Sequence, residues 1–338
     1  MEKFYVSYSK LDSYKSCPMK YKYSYIDKLQ PKIKSRALYV GSDIHKLIEQ
    51  FYVQRNPELL SKRAYPDNLT WREYLTQIIT PEFDKLEESA KKELGETYIE
   101  DLIKIMGQYE FYYSNDNLSI VDLENRKQCS LGEHNGKEVT LTYICDGIVS
   151  IGGREFLMEH KSYKTDPMTY ENTWLNMQTS IYVDKLNNLE GRHIDSVLWD
   201  NIKSVAPSKP NILKNGSYGK QPGTVTFFSF IDCETIMKGL DVVIEKYKEL
   251  LTDPDIIALG VENNYTNFLS RHTTTFNKNA LENILEDSEM VIDTITKPEV
   301  KYYRNLGWTC NNCPFKELCK KEMLGEDATL DKNILFTI

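Results

Sequence analysis

Residues 143–164 read YICDGIVSIGGREFLMEHKSYK, and three of them have the types and spacing to hold a divalent cation against a phosphodiester. Asp146 closes one predicted strand. A Gly152-Gly153 turn follows, then a second strand carries Glu159 and Lys161 two residues apart. Period-two alternation puts Glu159 and Lys161 on one face, and the hairpin brings Asp146 beside them. Two carboxylates on neighbouring strands suit Mg²⁺ or Mn²⁺, because hard cations take oxygen ligands and keep positions open for water and phosphate. Such an ion polarises the phosphodiester and acidifies water, while Lys161 orients that water or neutralises charge at phosphorus. An ExK pair alone is also what a solvent-facing strand of alternating charges looks like. The reading therefore rests on what surrounds it.

Two further pieces lie upstream and downstream. Residues 41–45 read GSDIH at a helix start, and His45 is a candidate third metal ligand. Residues 178–182 read QTSIY, so Gln178 and Tyr182 are four apart and share a helix face. Each alone has a plain structural reading, since a lone histidine is more often structural and Gln-x-x-x-Tyr recurs by chance in helices. In this order and spacing the set is specific.

The seven cysteines are Cys17, Cys129, Cys145, Cys233, Cys310, Cys313 and Cys319. The last three form C-x₂-C-x₅-C within WTCNNCPFKELCKK, a thiol group that suits metal in a reducing compartment. A tetrahedral site needs a fourth ligand, and Cys17, in a Cys-Pro context, is the natural candidate. Four cysteines suit zinc or an iron–sulfur cluster; spacing does not choose, and coordination chemistry alone leans to zinc. Cys129, Cys145 and Cys233 read as ordinary core residues.

These groups must be positioned by an α/β framework. Ser9 to Asp27 reads as one or two short helices, with Ser9 and Asp12 as a capping pair and Pro18 opening a second helix. Residues 41–55 form a helix with Ile44, Leu47, Ile48 and Phe51 on one stripe. Residues 69–113 are helical, with Pro81 starting a new helix. Strands are expected at 118–131 and 137–150, joined by His134-Asn135-Gly136, and at 155–160. A helix over 168–187 carries Trp174, Gln178 and Tyr182. Strands near 194–203 and 223–231 flank a Lys-, Pro-, Gly- and Ser-rich loop. Helices at 233–251 and 278–297 precede a cysteine-bearing cap over 299–338. The whole reads as one domain over 1–338: a helical part at 1–117, an α/β core at 118–252 and a helical C-terminal part at 253–338.

The chain has 338 residues, of which 41% are apolar and 27% charged, an ordinary balance for a globular fold. No run of 18 apolar residues marks a membrane span. The opening MEKFYVSYSK lacks the apolar stretch of a signal peptide, so a cytoplasmic location is expected. A net charge of −8 argues against a protein that coats nucleic acid non-specifically. Residues 1–36 oppose that trend with nine Lys/Arg against three acidic residues, interleaved with Tyr14, Tyr21, Tyr23 and Tyr25. Cations with aromatics suit single-stranded nucleic acid; tyrosines packed inward beneath solvated lysines are the plainer account. No GxxxxGK[ST] is present, so any unwinding would come from a partner.

Taken together, Gly41/His45, Asp146, Glu159-His160-Lys161 and Gln178/Tyr182 resemble the RecB-like branch of the PD-(D/E)xK nuclease superfamily, over about residues 5 to 320. The opening YSKLDSYKSCPMKYKYSYIDKL is similar to the start of that family's exonucleases. The resemblance implies a central mixed sheet flanked by helices, with a helical N-terminal insertion and a cysteine-stapled cap. It implies Mg²⁺ or Mn²⁺ on His45, Asp146, Glu159 and the His160 carbonyl, a catalytic Lys161, and DNA contacts from Gln178 and Tyr182. It also implies a [4Fe–4S] cluster, in preference to zinc, on Cys17, Cys310, Cys313 and Cys319, as in CRISPR-associated, AddB-type and exonuclease V-like relatives. The expected function is a DNA exonuclease on single strands or ends, with a helicase or recombination protein as a possible partner. A catalytically quiet DNA-binding partner of a helicase and a structure-specific endonuclease are the alternatives. One departure stands out: Gly147 follows Asp146 where relatives often carry a basic residue.

Overall fold

The computed structural model describes residues 1–56, 59, 69–164, 173, 176–216, 226–254, 256 and 268–337. Its centre is a mixed six-stranded sheet. Strands β3 (Ser119–His134) and β4 (Lys137–Ile151) form a long antiparallel hairpin, and β5 (Arg154–Tyr163) continues the meander. Both turns are the two-residue kind that needs left-handed backbone. Asn135 and Gly136 have φ of 51° and 77°, and Gly152 and Gly153 have 58° and 84°. Glycine carries these values without steric cost, which is why the two turns are legible.

After β5 the chain crosses through helix α4 (Met177–Glu190) and returns as β6 (Ser196–Lys203), parallel to β5. The Asn176 side chain caps α4 by accepting from Thr179 N at 3.0 Å. β7 (Leu269–Thr275) then pairs antiparallel with β6. β1 (Glu2–Val6) lies parallel to the first half of β4, on the edge that β5 uses further along.

Helices cover both faces. On one side, α2 (Arg36–Arg55) and α3 (Tyr98–Tyr113) bury Ile44, Leu47, Met106 and Tyr109 against Met158, Leu198 and Ile202 of the sheet. On the other, α1 (Tyr8–Ser16), α4 and α5 (Lys278–Thr296) bury Leu11, Ile181, Leu186 and Ile292 against Leu141, Leu157 and Trp199. Residues such as Leu157 and Met158 therefore face opposite layers, as strand geometry requires. A third small core holds the cap, where Phe315 packs between Tyr23 and Phe336, each with ring centroids at 5.2 Å. There α6 (Lys316–Leu324) leads to β8 (Phe336–Thr337), which pairs with β2 (Gln30–Pro31). Among the described residues, no helix is long and apolar enough to cross a membrane.

Several expectations need correction. The first residues form β1, where no strand was expected, because Phe4 and Val6 pack into the layer beneath α1. Ser7, not Ser9, caps α1, accepting from Lys10 N. The helix carrying His45 begins at Arg36, a turn and a half before Gly41. The strand near 223–231 is instead a 3-10 turn at Phe227–Ser229, with 223–225 outside the described residues. The helix at 233–251 breaks at Gly239 and Tyr247 into three short ones. The C-terminal part contributes β7, so it is not purely helical. Of the helix expected from 168, the described part begins at Met177, and Trp174 lies outside the described residues.

Candidate active site

The ladder between β4 and β5 runs from Ile151↔Arg154 to Gly147↔Met158 and ends there. Asp146 and Glu159 are the first residues beyond it, where the strands part. One Asp146 oxygen accepts the His160 backbone N–H at 2.7 Å, which ties the two strands across the gap. Gly147 faces the core, where an added Cβ would lie 2.8 Å from Met158 Cε. The missing basic residue after Asp146 thus reflects a tightly packed inward position.

Glu159 is 1% exposed. Its Oε1 accepts from Lys161 Nζ at 2.5 Å, and Lys161 also donates to Gln178 Oε1 at 3.2 Å. The ExK strand and the Gln-x-x-x-Tyr helix therefore meet at the lysine. Tyr182 lies one turn beyond Gln178, buried, with its ring 5.2 Å from Tyr143. Its setting is a packed layer rather than an open surface. Glu159 Oε2 is buried with no hydrogen-bond partner. A buried, unpaired carboxylate oxygen is costly unless a cation completes it.

His45 reaches the same place from the other side of the sheet. Gly41 lets α2 approach β5, since an added Cβ would stand 3.0 Å from Ser162 Oγ. One helical turn later, His45 Nδ1 lies 3.5 Å from Asp146 Oδ1 and 3.8 Å from Glu124 Oε1. The ligand atoms of His45, Glu124 and Asp146 all fall within 4.8 Å of one another, a spacing one cation could bridge. Glu159 is outside that group but adjoins it, since the Asp146 carboxylate helps to raise its pKa.

Charge is unbalanced here. Burial and the neighbouring Asp146 carboxylate push Glu159 up to about 7. Burial would also raise Asp146, but His45, the His160 region and Lys161 together hold it down near 2. Burial acts to lower His45, yet Asp146 and Glu124 outweigh it and raise its pKa. Lys161 is likewise raised by Glu159 against the effect of burial. Three carboxylates are thus held together by one lysine and a proton on histidine, the arrangement a divalent cation would relieve.

The His160 side chain meets the His45 ring edge to face at 5.6 Å and turns its Nδ1 to a second cluster. Its Nδ1 lies 2.9 Å from Asp200 Oδ2, and Asp200 also takes bonds from Arg271 Nε at 2.9 Å and Tyr109 OH at 2.6 Å. Arg271 bonds Asp116 at 2.7 Å and the Tyr52 and Tyr109 hydroxyls. No spacing rule pointed to this network, whose members come from five elements.

The four expected cysteines converge. Cys17, Cys310, Cys313 and Cys319 all line one cavity of about 290 Å³, closed by Met19, Phe315 and Leu324. The Arg304 Nε–H points at Cys319 Sγ, 3.3 Å away. Cys145 is buried, and Cys129 and Cys233 are partly buried against the two large cores.

The sequence profile of the PD-(D/E)XK nuclease superfamily matches residues 5–320. The chain belongs to that superfamily. A PD-(D/E)XK member is expected to be a metal-dependent nuclease acting on DNA, and the mixed sheet with flanking helices agrees with that fold. Among solved structures, the protein SSO0001 is similar at 13% identity, covering 73% of this chain and 78% of that one. Its TM-score is 0.30. No curated protein matches the chain.

Glu124 is the site residue that sequence reasoning missed. Counting back from the His134↔Lys137 pair along an unbroken ladder would set Asn125 opposite Asp146. A bulge between Ser130 and Gly132 shifts the register by one, so Leu123 and Asn125 face Gly147 and Cys145 and Glu124 sits between them. The one local signal of that bulge is Gly132, an isolated glycine near the strand end with φ of 88°.

Proposed function

We propose that this PD-(D/E)XK member is an exonuclease that degrades single-stranded DNA or DNA ends, with Mg²⁺ or Mn²⁺ at Asp146, Glu159, His45 and the His160 carbonyl. The observation that carries the reading is the orphaned Glu159 Oε2 beside Asp146, with Lys161 fixed between Glu159 and Gln178. A cation bound there supplies Lewis-acid polarisation of the phosphodiester and acidifies water. The chain's own residues do the rest. Lys161 keeps its ammonium charged and places it at the edge of the centre, where it meets charge developing at phosphorus. Gln178 holds Lys161 in position and offers its amide N–H to a strand. Tyr182, packed on Tyr143, fixes the helix turn that carries Gln178.

The four cysteines are read as ligands of a [4Fe–4S] cluster. Zinc, the smaller alternative, would need all four thiolates at about 2.3 Å from one ion. The cavity and the N–H directed at Cys319 support the larger group. Its role is a staple, closing a loop of roughly 290 residues between Cys17 and Cys310 and setting the basic N-terminal segment beside the cap. The Lys203–Lys220 loop, described to residue 216, would help guide the DNA backbone.

The test is an anaerobic digestion of end-labelled linear and closed circular single-stranded DNA with Mn²⁺. Loss of linear DNA with circles intact supports the exonuclease reading. Cutting of circles makes the protein an endonuclease, and no cutting with the brown chromophore intact favours a DNA-binding role.

A further inference from the structure

Glu124 has backbone φ of 42°, a left-handed conformation that residues with a side chain rarely adopt. Such strain persists only where the surroundings impose it. Here Glu124 stands at a gap in the β3–β4 ladder, between the pairs Leu123↔Gly147 and Asn125↔Cys145, and a register shift further along β3 decides that it is this residue that stands there. Without it, Asn125 would face Asp146; with it, an acidic side chain does. Gly132, with φ of 88°, makes the shift sterically easy. The bulge and the strain together deliver one carboxylate to one place.

That place already has ligands. Glu124 Oε1 is 3.8 Å from His45 Nδ1, and both belong to the group that includes Asp146. Glu124 and His45 border an open cleft of about 360 Å³ between α2 and the sheet, together with Gly41 and Ser42. The cleft gives a cation, and the oxygens of a phosphate, a way in from solvent. On the far side of Asp146, at the buried end of the centre, Glu159 Oε2 has no hydrogen-bond partner. Asp146 stands between the two, with Oδ1 toward His45 and Oδ2 toward His160 N.

We propose that Glu124 is a direct cation ligand of this centre, so that Asp146 sits between an outer position made with Glu124 and His45 and an inner one made with Glu159. The inference rests on the proposed metal-dependent reading of the site. It adds an oxygen ligand from β3, on the solvent-facing side, where a second divalent ion could be taken up with the substrate phosphate.

The experiment is a Mn²⁺ titration of the full chain, purified anaerobically and followed by EPR of free Mn²⁺ and by thermal shift. Wild type is compared with Glu124→Gln, Glu124→Gly and Asp146→Asn. Glu124→Gln should weaken Mn²⁺ binding at least about tenfold or halve the stoichiometry. Glu124→Gly removes the ligand and the strain together. Its metal-free melting temperature should equal or exceed that of wild type, while most of the Mn²⁺-induced rise is lost. Unchanged affinity and stoichiometry in both Glu124 variants, with binding lost in Asp146→Asn, would overturn the Glu124 assignment and leave the centre intact. Wild-type binding in Asp146→Asn would instead sink the reading on which it rests. If the glycine variant does not fold, Glu124→Gln decides alone.

Discussion

Two buried charged clusters meet at β5, where the His45 and His160 rings touch, and they are built on opposite terms. Behind the strand, His160, Asp200, Arg271, Tyr52 and Tyr109 close on one another. Asp200 is fully buried, yet it has three partners, and Arg271 beside it holds its carboxyl well below the ordinary range despite burial. In front, Glu124, Asp146 and Glu159 share His45 and Lys161, and one carboxylate oxygen has no partner at all. The rear network is complete in itself and serves the fold. The front one is incomplete without something positive. Burial of charge alone does not mark a functional site; burial left unsatisfied does.

This contrast can be broken most severely at the front. Asp146→Asn should lower DNA cleavage by at least about 10³-fold, the scale of several kcal/mol of lost charge stabilisation, with secondary structure unchanged by circular dichroism. Retained cleavage would place the metal elsewhere. At the rear the expected loss is in stability instead. Asp200→Ala strands the buried Arg271 and should cost about 3–5 kcal/mol in chemical denaturation. The pH dependence follows the same logic. Because Asp200 is held below its unfolded value of about 3.9, its contribution is present above that pH and disappears as the solution is acidified through and below it. The Asp200 variant should show a flatter acid limb.

A third change tests the cap. Cys310→Ser should bleach the visible absorbance expected of the cluster and lower the melting temperature, while an unchanged spectrum with bound zinc would replace the cluster with a zinc site. The smallest effect belongs to Glu159→Gln. With its folded pKa raised to about 7 against about 4.3 unfolded, Glu159 favours the fold when protonated, and that benefit is lost as pH rises through 7. At pH 8 without metal, the neutral variant should therefore melt at the same temperature as wild type or a few degrees higher. A clear fall would mean that Glu159 is a satisfied structural carboxylate like Asp200.

The same two regions explain what the sequence made legible. The front centre is written in local terms: an Asn-Gly turn, a Gly-Gly turn, and residues two or four apart whose faces follow from strand and helix periods. Asp146, Glu159, Lys161 and Gln178 could be placed together for that reason. His45 needed only a glycine one turn earlier to bring its helix close. Glu124 was invisible because its position depends on a one-residue bulge, and a slip of one residue reverses which side chain faces the centre. The rear network was invisible because Tyr52, Tyr109, Asp200 and Arg271 come from distant segments, and nothing local distinguishes them. β1 and β7 were missed for a related reason. Their residues, EKFYV and LSRHTTT, include strand-favouring types but are short and show no apolar alternation, so nothing local marks them as strands until the sheet that receives them is known.

The most direct test of the central claim is the rate of Mn²⁺-dependent digestion of linear single-stranded DNA by wild type and by Lys161→Ala, both with an intact chromophore. The account predicts that wild type degrades the DNA and that the variant is slower by on the order of 10²–10³-fold, since Lys161 is the charge placed against the reacting phosphate. Equal rates in the two proteins would contradict it, because the lysine held by Glu159 and Gln178 would then have no part in the chemistry.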